Sequence, residues 1–149
     1  HLYRRRQRQM CIRDSSKIKL KNNQSIHFEL GRSIVGQCGF LISKILYTKK
    51  SYNKNFIVLD SGMNNLIRPA LYNSKHKISN ISSRSNKIEA YDIVGPICES
   101  TDTFARDYEM VESKRGDLVV IYSCGAYAES MSSNYNLRDN IKSYYSDTI

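Results

Sequence analysis

The stretch Tyr91-Asp92-Ile93-Val94-Gly95-Pro96-Ile97-Cys98-Glu99-Ser100-Thr101-Asp102 carries both a fold signal and a chemical one. Its first four residues predict a strand. Gly95-Pro96 ends that strand, because proline lacks the N–H that a strand ladder needs, and the following residues are expected in a loop. Cys98 and Glu99 then place a thiol beside a carboxylate, two groups suited to proton transfer. An inert, buried cysteine followed by a polar turn is the alternative that this stretch leaves open.

Other short apolar runs around this stretch predict a mainly β chain. Residues 40–47 and 55–60 are typical of the two strands of a hairpin, and residues 118–122 predict a further strand. A hairpin turn is expected at residues 114–117. Repeated short strands joined by Gly, Pro and Asn turns predict an antiparallel β-barrel or a sandwich, and the strand pattern does not decide between the two.

The segments between these strands are less regular. Residues 33–39 predict a helical turn, 75–78 a strand, 79–86 a loop and 103–107 a short turn or helix. Residues 63–72 predict a functional loop, because Pro69 disfavours helical backbone at Arg68. The alternative is a cap over the core, with Arg68 in solvent. His76 lies among lysines, which favours an exposed imidazole over a ligand.

Length and composition predict one domain in a reducing compartment. The chain has 149 residues, of which 40% are hydrophobic, enough for a single modest core. Its four cysteines include no C-x-x-C pair, so neither a metal site nor a disulfide framework is indicated. No apolar run approaches the roughly 18 residues of a membrane span, and nothing resembles a secretory signal. The expected location is the cytoplasm, without a membrane partner.

A net charge of +9 raises the possibility of nucleic-acid binding, but the distribution of charge argues against it. Residues 1–15 hold five of the 23 basic residues and one of the 14 acidic ones, so the remainder carries +5, scattered along the chain. Met10-Cys11-Ile12-Arg13-Asp14 resembles a translated mosaic-end sequencing adapter. We expect residues 1–15 to be an adapter-derived segment without packed contacts. The alternative is a natural basic, disordered arm.

Gly31 and Arg32 form a second candidate site, at the end of a short apolar strand. A glycine lets the backbone approach an anion closely, and an adjacent arginine can add a bidentate clamp on phosphate or carboxylate. An ordinary surface turn is the alternative.

Five motifs now stand in order along the chain: Glu29-Leu30-Gly31-Arg32, residues 63–72, residues 95–100, Gly125-Ala126-Tyr127 and residues 130–136. From about residue 26 to 136 they resemble the C-terminal part of the diaminopimelate decarboxylase family, pyridoxal-phosphate enzymes of the alanine-racemase-like fold type. The resemblance implies an α/β barrel followed by a C-terminal antiparallel β-barrel domain. Residues 16–32 are then the end of the first barrel and 33–149 the second domain. The Schiff-base lysine lies outside the chain, so we expect no activity from it alone.

The resemblance also implies residues that bind pyridoxal 5'-phosphate. Glu29 faces the pyridinium nitrogen and keeps it protonated. Gly31 and Arg32 hold the phosphate, Arg32 also lies near the substrate, and Tyr127 packs on the cofactor and borders the substrate. Leu30 stands where the family usually has proline.

For the substrate, meso-diaminopimelate, the resemblance implies that Arg68 and Tyr72 bind its distal amino-acid end and that Glu99 pairs with an ammonium group. Cys98 is implied to be the proton donor. In the family, Cys98 and Glu99 reach the partner subunit's cofactor, which implies a homodimer with shared sites. Residues 137–149 lack the apolar final strand that the family pattern predicts, which leaves closure of the barrel open.

Two other readings stay open. One is a related decarboxylase acting on another basic amino acid, in which Arg68 would lack a carboxylate partner. The other is a stand-alone β-barrel binding module with a basic arm.

Overall fold

The computed structural model describes residues 19–27 and 31–148, so Glu29, Leu30 and residues 1–15 lie outside the described part. The strands are β1 (Leu41–Lys50), β2 (Asn55–Leu59), β3 (Ile78–Asn80), β4 (Ile88–Val94), β5 (Thr103–Val111) and β6 (Leu118–Ile121). Two short helices, α1 (Arg32–Val35) and α2 (Arg68–Tyr72), lie before β1 and after β2. Single 3-10 turns occur at Gly36–Cys38, Glu129–Met131, Tyr135–Leu137 and Ser146–Thr148.

The six strands form one sheet in the order β3-β6-β1-β2-β4-β5. The β1–β2 hairpin is present as predicted. The predicted mainly β barrel domain is confirmed, and among the described strands every pair is antiparallel except β2–β4, which is parallel. The long connection between β2 and β4 explains the difference, because a crossover that includes α2 and β3 brings the chain back to start β4 in the same direction as β2.

Tyr108 bridges the two edges of this sheet. Its hydroxyl on β5 accepts a hydrogen bond from the Ile78 N–H at 2.8 Å and donates one to the Ile78 carbonyl at 3.0 Å. The sheet therefore curves into a nearly closed barrel rather than a sandwich. No strand lies between residues 137 and 148, as the sequence predicted. The two edge strands of the described barrel are joined by the Tyr108 hydroxyl and not by a further strand.

Alternation along the strands explains the core. On β1, Leu41, Ser43 and Ile45 point inward, while Ile42 and Lys44 face out. Ser43 is the polar exception, and its hydroxyl bonds with Asp60 and Ser61. The other fully buried side chains are apolar except for Asn64, and include Ile57, Leu59, Leu66, Ile93, Val119 and Ile121.

Three local expectations were wrong. Residues 103–107 belong to β5, whose pairing with β4 provides the ladder that local sequence alone could not reveal. The turn at 114–117 joins β5 to β6, which are not neighbours in the sheet, so it is not a hairpin turn. Residues 68–72 form α2, with Pro69 in its first turn, where a missing N–H breaks no helical bond.

The predicted turn at 33–39 is present as α1 and its 3-10 extension. None of the helices in the described ranges is long and apolar enough to cross a membrane.

Candidate active site

The Arg68 side chain lies between two tyrosine rings. Its guanidinium carbon is 4.9 Å from the ring centroid of Tyr72 and 5.5 Å from that of Tyr127. Arg68 and Tyr72 are the first and last residues of α2, and a spacing of four puts them on one helix face. Tyr127 comes from the loop after β6. The structure thus brings together three residues that the sequence predicted from two separate motifs.

Arg68 is half-buried and makes no ion pair with any described residue. Tyr72 and Tyr127 remain 42% and 49% exposed, so the rings do not enclose the guanidinium. A guanidinium that rests on two π faces and lacks a carboxylate is oriented for an anionic ligand. We call Arg68, Tyr72 and Tyr127 the arginine cluster.

Gly39 and Gly125 let two backbone segments come into direct contact beside Tyr127. The Gly125 N–H donates to the Gly36 carbonyl at 3.0 Å, and the Cys124 N–H donates to the Gly39 carbonyl at 2.8 Å. A Cβ on Gly125 would lie 2.0 Å from the Val35 carbonyl oxygen. The segment from α1 to β1 therefore docks directly on the loop that carries Tyr127.

That docking also sets Gly31 beside Tyr127. A Cβ on Gly31 would lie 3.2 Å from the Tyr127 hydroxyl oxygen, so the absence of a side chain leaves the hydroxyl its space. Tyr127 itself adopts a left-handed backbone with φ of 62°, which is uncommon for a non-glycine residue. Arg32, which follows Gly31 in sequence, is exposed and has no ion pair among the described residues.

His76 is a residue of this region that the sequence misjudged. Instead of an exposed imidazole, it is half-buried, with Nδ1 2.8 Å from the Tyr122 carbonyl and Nε2 3.2 Å from the Ser74 hydroxyl. These bonds tie the chain leaving α2 to the end of β6. Local sequence could not reveal this role, because the bond to the Tyr122 carbonyl forms only in the folded barrel.

Cys98 is exposed, on a loop that a buried carboxylate fastens. Asp102, only 3% exposed, accepts the Ile97 N–H at 2.7 Å and the Met63 N–H at 2.6 Å. Burial raises the pKa of Asp102, although the N–H groups of Ile97 and Met63 oppose that rise. The described chain does not bury Cys98, so this cysteine is not a core thiol of the described domain.

Glu99 receives a hydrogen bond from the Tyr135 hydroxyl at 2.7 Å. This bond and the charge of Glu99 raise the pKa of Tyr135. Tyr135 follows a segment fixed by Asn64, because the Ser133 N–H donates to the Asn64 carbonyl at 2.9 Å. We call Cys98, Glu99 and Tyr135 the thiol cluster.

The two clusters are separate. Among the described residues, no hydrogen bond, ion pair or ring contact joins the arginine cluster to the thiol cluster. Residues 63–72 link them along the chain, since Met63 contacts the Cys98 loop and Arg68 begins the arginine cluster. No group of three or more His, Cys, Asp or Glu in the described ranges could hold a metal ion.

Comparison with known proteins identifies relatives of this chain. The family model "Pyridoxal-dependent decarboxylase, C-terminal sheet domain" matches residues 9–125. The diaminopimelate decarboxylase of Bacteroides thetaiotaomicron is 53% identical over 135 residues, which are 91% of this chain and 35% of that protein. The Helicobacter pylori enzyme is 49% identical over 114 residues, 76% of this chain and 28% of that protein.

Solved structures show the same similarity. The H. pylori diaminopimelate decarboxylase complexed with L-lysine has a TM-score of 0.67 and 49% identity, covering 72% of this chain and 26% of that one. The M. jannaschii enzyme in co-complex with L-lysine has a TM-score of 0.74 and 35% identity, covering 89% and 30%. A lysine/ornithine decarboxylase from Vibrio vulnificus, 19% identical with a TM-score of 0.67, shares the fold.

The chain spans 28–35% of the length of these two curated relatives. Because the family model covers well over half of the chain, and the curved sheet is the domain that the model describes, this chain belongs to the pyridoxal-dependent decarboxylase family as its C-terminal sheet domain.

Proposed function

We propose that this chain is the C-terminal part of a diaminopimelate decarboxylase, which removes one carboxyl group from meso-diaminopimelate to give L-lysine. The observation that carries the proposal is the guanidinium of Arg68, which lies between Tyr72 and Tyr127 and has no ion pair among the described residues. The names of the relatives, at 53% and 49% identity, support it.

Arg68 favours this substrate over other basic amino acids. Diaminopimelate keeps a carboxylate and an ammonium group at the end remote from the reacting carbon, whereas lysine and ornithine end in an amine. The planar fork of a guanidinium binds a carboxylate through two parallel hydrogen bonds. A terminal amine would instead meet the positive charge of Arg68 without a partner, so the arginine cluster selects for the distal carboxylate.

The residues around Gly31 fit pyridoxal 5'-phosphate. The side-chain-free backbone at Gly31, the exposed Arg32 guanidinium and the Tyr127 hydroxyl form a set of donors suited to a phosphate. When bound, the cofactor supplies an electron-withdrawing ring that accepts electron density as the carboxyl group leaves as CO₂. Glu29, which we expect beside the pyridinium nitrogen, lies outside the described residues.

We assign the proton transfer to the thiol cluster. The Cys98 Sγ–H donates the proton that replaces the departing carboxyl group, and the Glu99 carboxylate binds a substrate ammonium group. Both residues are exposed, and among the described residues neither makes a hydrogen bond, ion pair or ring contact with the arginine cluster. This separation supports a homodimer in which the thiol cluster of one subunit completes the site of the other. The three free cysteines among the described residues, Cys38, Cys98 and Cys124, support a cytoplasmic location.

The test is a CO₂-release assay on the full-length protein, obtained by reading the gene upstream of this segment. We expect decarboxylation of meso-diaminopimelate with added pyridoxal phosphate, and much weaker activity on lysine and ornithine. A preference for lysine or ornithine would show a related decarboxylase. No activity on any of the three, together with salt-dependent nucleic-acid binding that is lost on deleting residues 1–15, would favour a binding module.

A further inference from the structure

We propose that Tyr135 is a positioning residue that holds the Glu99 carboxylate in place beside Cys98. This inference rests on the proposed function and adds a residue to its site. The Tyr135 hydroxyl donates to Glu99 Oε1 at 2.7 Å, within the range of a charge-assisted hydrogen bond. No other side chain among the described residues bonds to the Glu99 carboxylate, so Tyr135 alone restricts it.

The barrel also anchors the segment that carries Tyr135, through contacts between Asn64 and Ser133. The Ser133 N–H donates to the Asn64 carbonyl at 2.9 Å, and the Asn64 amide group lies 3.5 Å from the Ser133 carbonyl. Asn64 is 2% exposed and belongs to the turn after β2, so this anchor lies in the rigid interior. The segment that carries Tyr135 is therefore anchored to the barrel at this turn.

The Cys98 loop is attached to the same turn from its other side. Asp102 bonds the N–H of Met63 and the N–H of Ile97, one residue before Cys98. The turn at residues 62–65 thus supports both the loop that bears Glu99 and the segment that bears Tyr135. The bond between Tyr135 and Glu99 closes this ring of contacts and leaves the second carboxylate oxygen, Oε2, for a cationic ligand.

The chemistry of a tyrosine suits this task. A phenol donates one hydrogen bond and carries no charge at neutral pH, so it orients the carboxylate without neutralising it. A lysine or arginine at this place would instead pair with Glu99 and compete with the substrate ammonium group. The raised pKa of Tyr135 agrees with a hydroxyl that faces the negative charge of Glu99.

The contact can be tested in the 149-residue chain without any activity. Tyrosines labelled with ¹³C at Cζ report their ionisation by NMR, and Tyr135→Phe identifies the signal. We expect Glu99→Ala to lower the pKa of Tyr135 toward its ordinary value. The matched substitution Glu109→Ala, on β5, should leave it unchanged. An unchanged Tyr135 titration in Glu99→Ala would show that the contact does not form, and would overturn the proposal.

The functional arm uses the full-length enzyme. Tyr135→Phe keeps the ring and removes only the hydroxyl, so we expect KM for diaminopimelate to rise about tenfold while kcat stays within about twofold. In a Glu99→Ala background the same change should raise KM no further. Tyr52→Phe, at the exposed tip of the β1–β2 hairpin, is the control.

A fall in kcat with unchanged KM would indicate a purely structural role, and an additive effect in the Glu99→Ala background would show that Tyr135 does not act through Glu99. Either result overturns the proposal. Inactivity of the unmodified enzyme on diaminopimelate would instead overturn the proposed function, and the role of Tyr135 with it. That failure is recognisable because it appears before any substitution is made.

Discussion

The guanidinium carbon of Arg68 lies 5.5 Å from the ring centroid of Tyr127, although 58 residues separate them in sequence. The contact depends on the close approach of Gly39 and Gly125, which docks the chain before β1 onto the loop after β6. The arginine cluster is therefore assembled by the closing of the barrel and is not a local feature of either motif.

Gly125→Ala should destabilise the chain and displace Tyr127. The added Cβ would lie 2.0 Å from the Val35 carbonyl oxygen, a backbone atom that cannot rotate away. Overpacking of this kind costs about 1 to 3 kcal/mol in the free energy of unfolding. Urea denaturation followed by circular dichroism would measure it.

Gly36→Ala is the matched control, because its Cβ would meet only the flexible Arg32 side chain at 3.4 Å. Its backbone is helical, with φ of −58°, so alanine is tolerated there. Equal stability of the two variants would contradict the close backbone contact.

The described cysteines should differ sharply in reactivity. Burial raises the pKa of Cys124 to about 11, whereas Cys38 and Cys98 are exposed. At pH 8 roughly one Cys124 thiol in a thousand is then ionised, and the thiolate is the reactive form. Timed iodoacetamide labelling of the native chain, read by peptide mass spectrometry, should modify Cys98 well before Cys124. Unfolding in urea should make the two labelling rates similar, which serves as the control. Similar rates for Cys98 and Cys124 in the native chain would contradict the burial of Cys124.

Acid should remove the contribution of Asp92 to stability. Burial raises the pKa of Asp92, but the Asp107 N–H at 2.8 Å and the Lys54 ammonium at 3.0 Å outweigh it, and the net pKa lies below its ordinary value of 3.8. A lowered folded pKa means that the stabilisation is fully present above 3.8 and disappears as pH falls through the folded value.

The free energy of unfolding of the unmodified chain should therefore exceed that of Asp92→Asn at pH 7, and the difference should shrink below pH 3.8. Asp139→Asn, at an exposed position outside the Asp92–Lys54–Asp107 group, is the control. If the difference in the free energy of unfolding between the unmodified chain and Asp92→Asn grew toward acid pH, the pKa of Asp92 would be raised in the folded chain and not lowered.

In the full-length enzyme, Cys98→Ala should reduce turnover about a hundredfold or more, the usual contribution of a positioned acid. Folding and cofactor absorbance should persist, because Cys98 lies on an exposed loop and packs against little. Cys38→Ala, a second exposed cysteine, is the control. Stopped assays of CO₂ release would measure the rate per folded molecule.

The same variant tests the shared site. Subunits carrying Cys98→Ala, mixed with subunits that lack the Schiff-base lysine, should regain one working site per heterodimer. No recovery in verified heterodimers would exclude proton donation across the dimer.

The sequence predicted the strands whose apolar pattern is local. Residues 40–47 and 55–60 and the Gly95-Pro96 break all correspond to observed features, because each depends on alternation or on the missing proline N–H. The parallel β2–β4 pair, the strand at 103–107 and the closure by Tyr108 depend on partners far along the chain, which local patterns do not specify.

For the candidate site, the sequence named residues but could not show their contacts. Arg68, Tyr72 and Tyr127 were predicted from motif resemblance, and their contact could be seen only in the folded chain. His76 and Tyr135 were missed as site residues, since their roles come from bonds to Tyr122 and Glu99 across the fold. Glu29 stays a prediction.

The most direct test of the proposed substrate is the effect of Arg68→Lys in the full-length enzyme, with Arg115→Lys at the exposed 114–117 turn as control. Lysine keeps the charge but loses the planar fork, at a cost of about 1 to 3 kcal/mol in kcat/KM for meso-diaminopimelate. We expect KM for diaminopimelate to rise, with cofactor absorbance retained and the slow reaction on lysine unaffected. An unchanged kcat/KM for diaminopimelate would contradict the role of Arg68 as the group that binds the distal carboxylate.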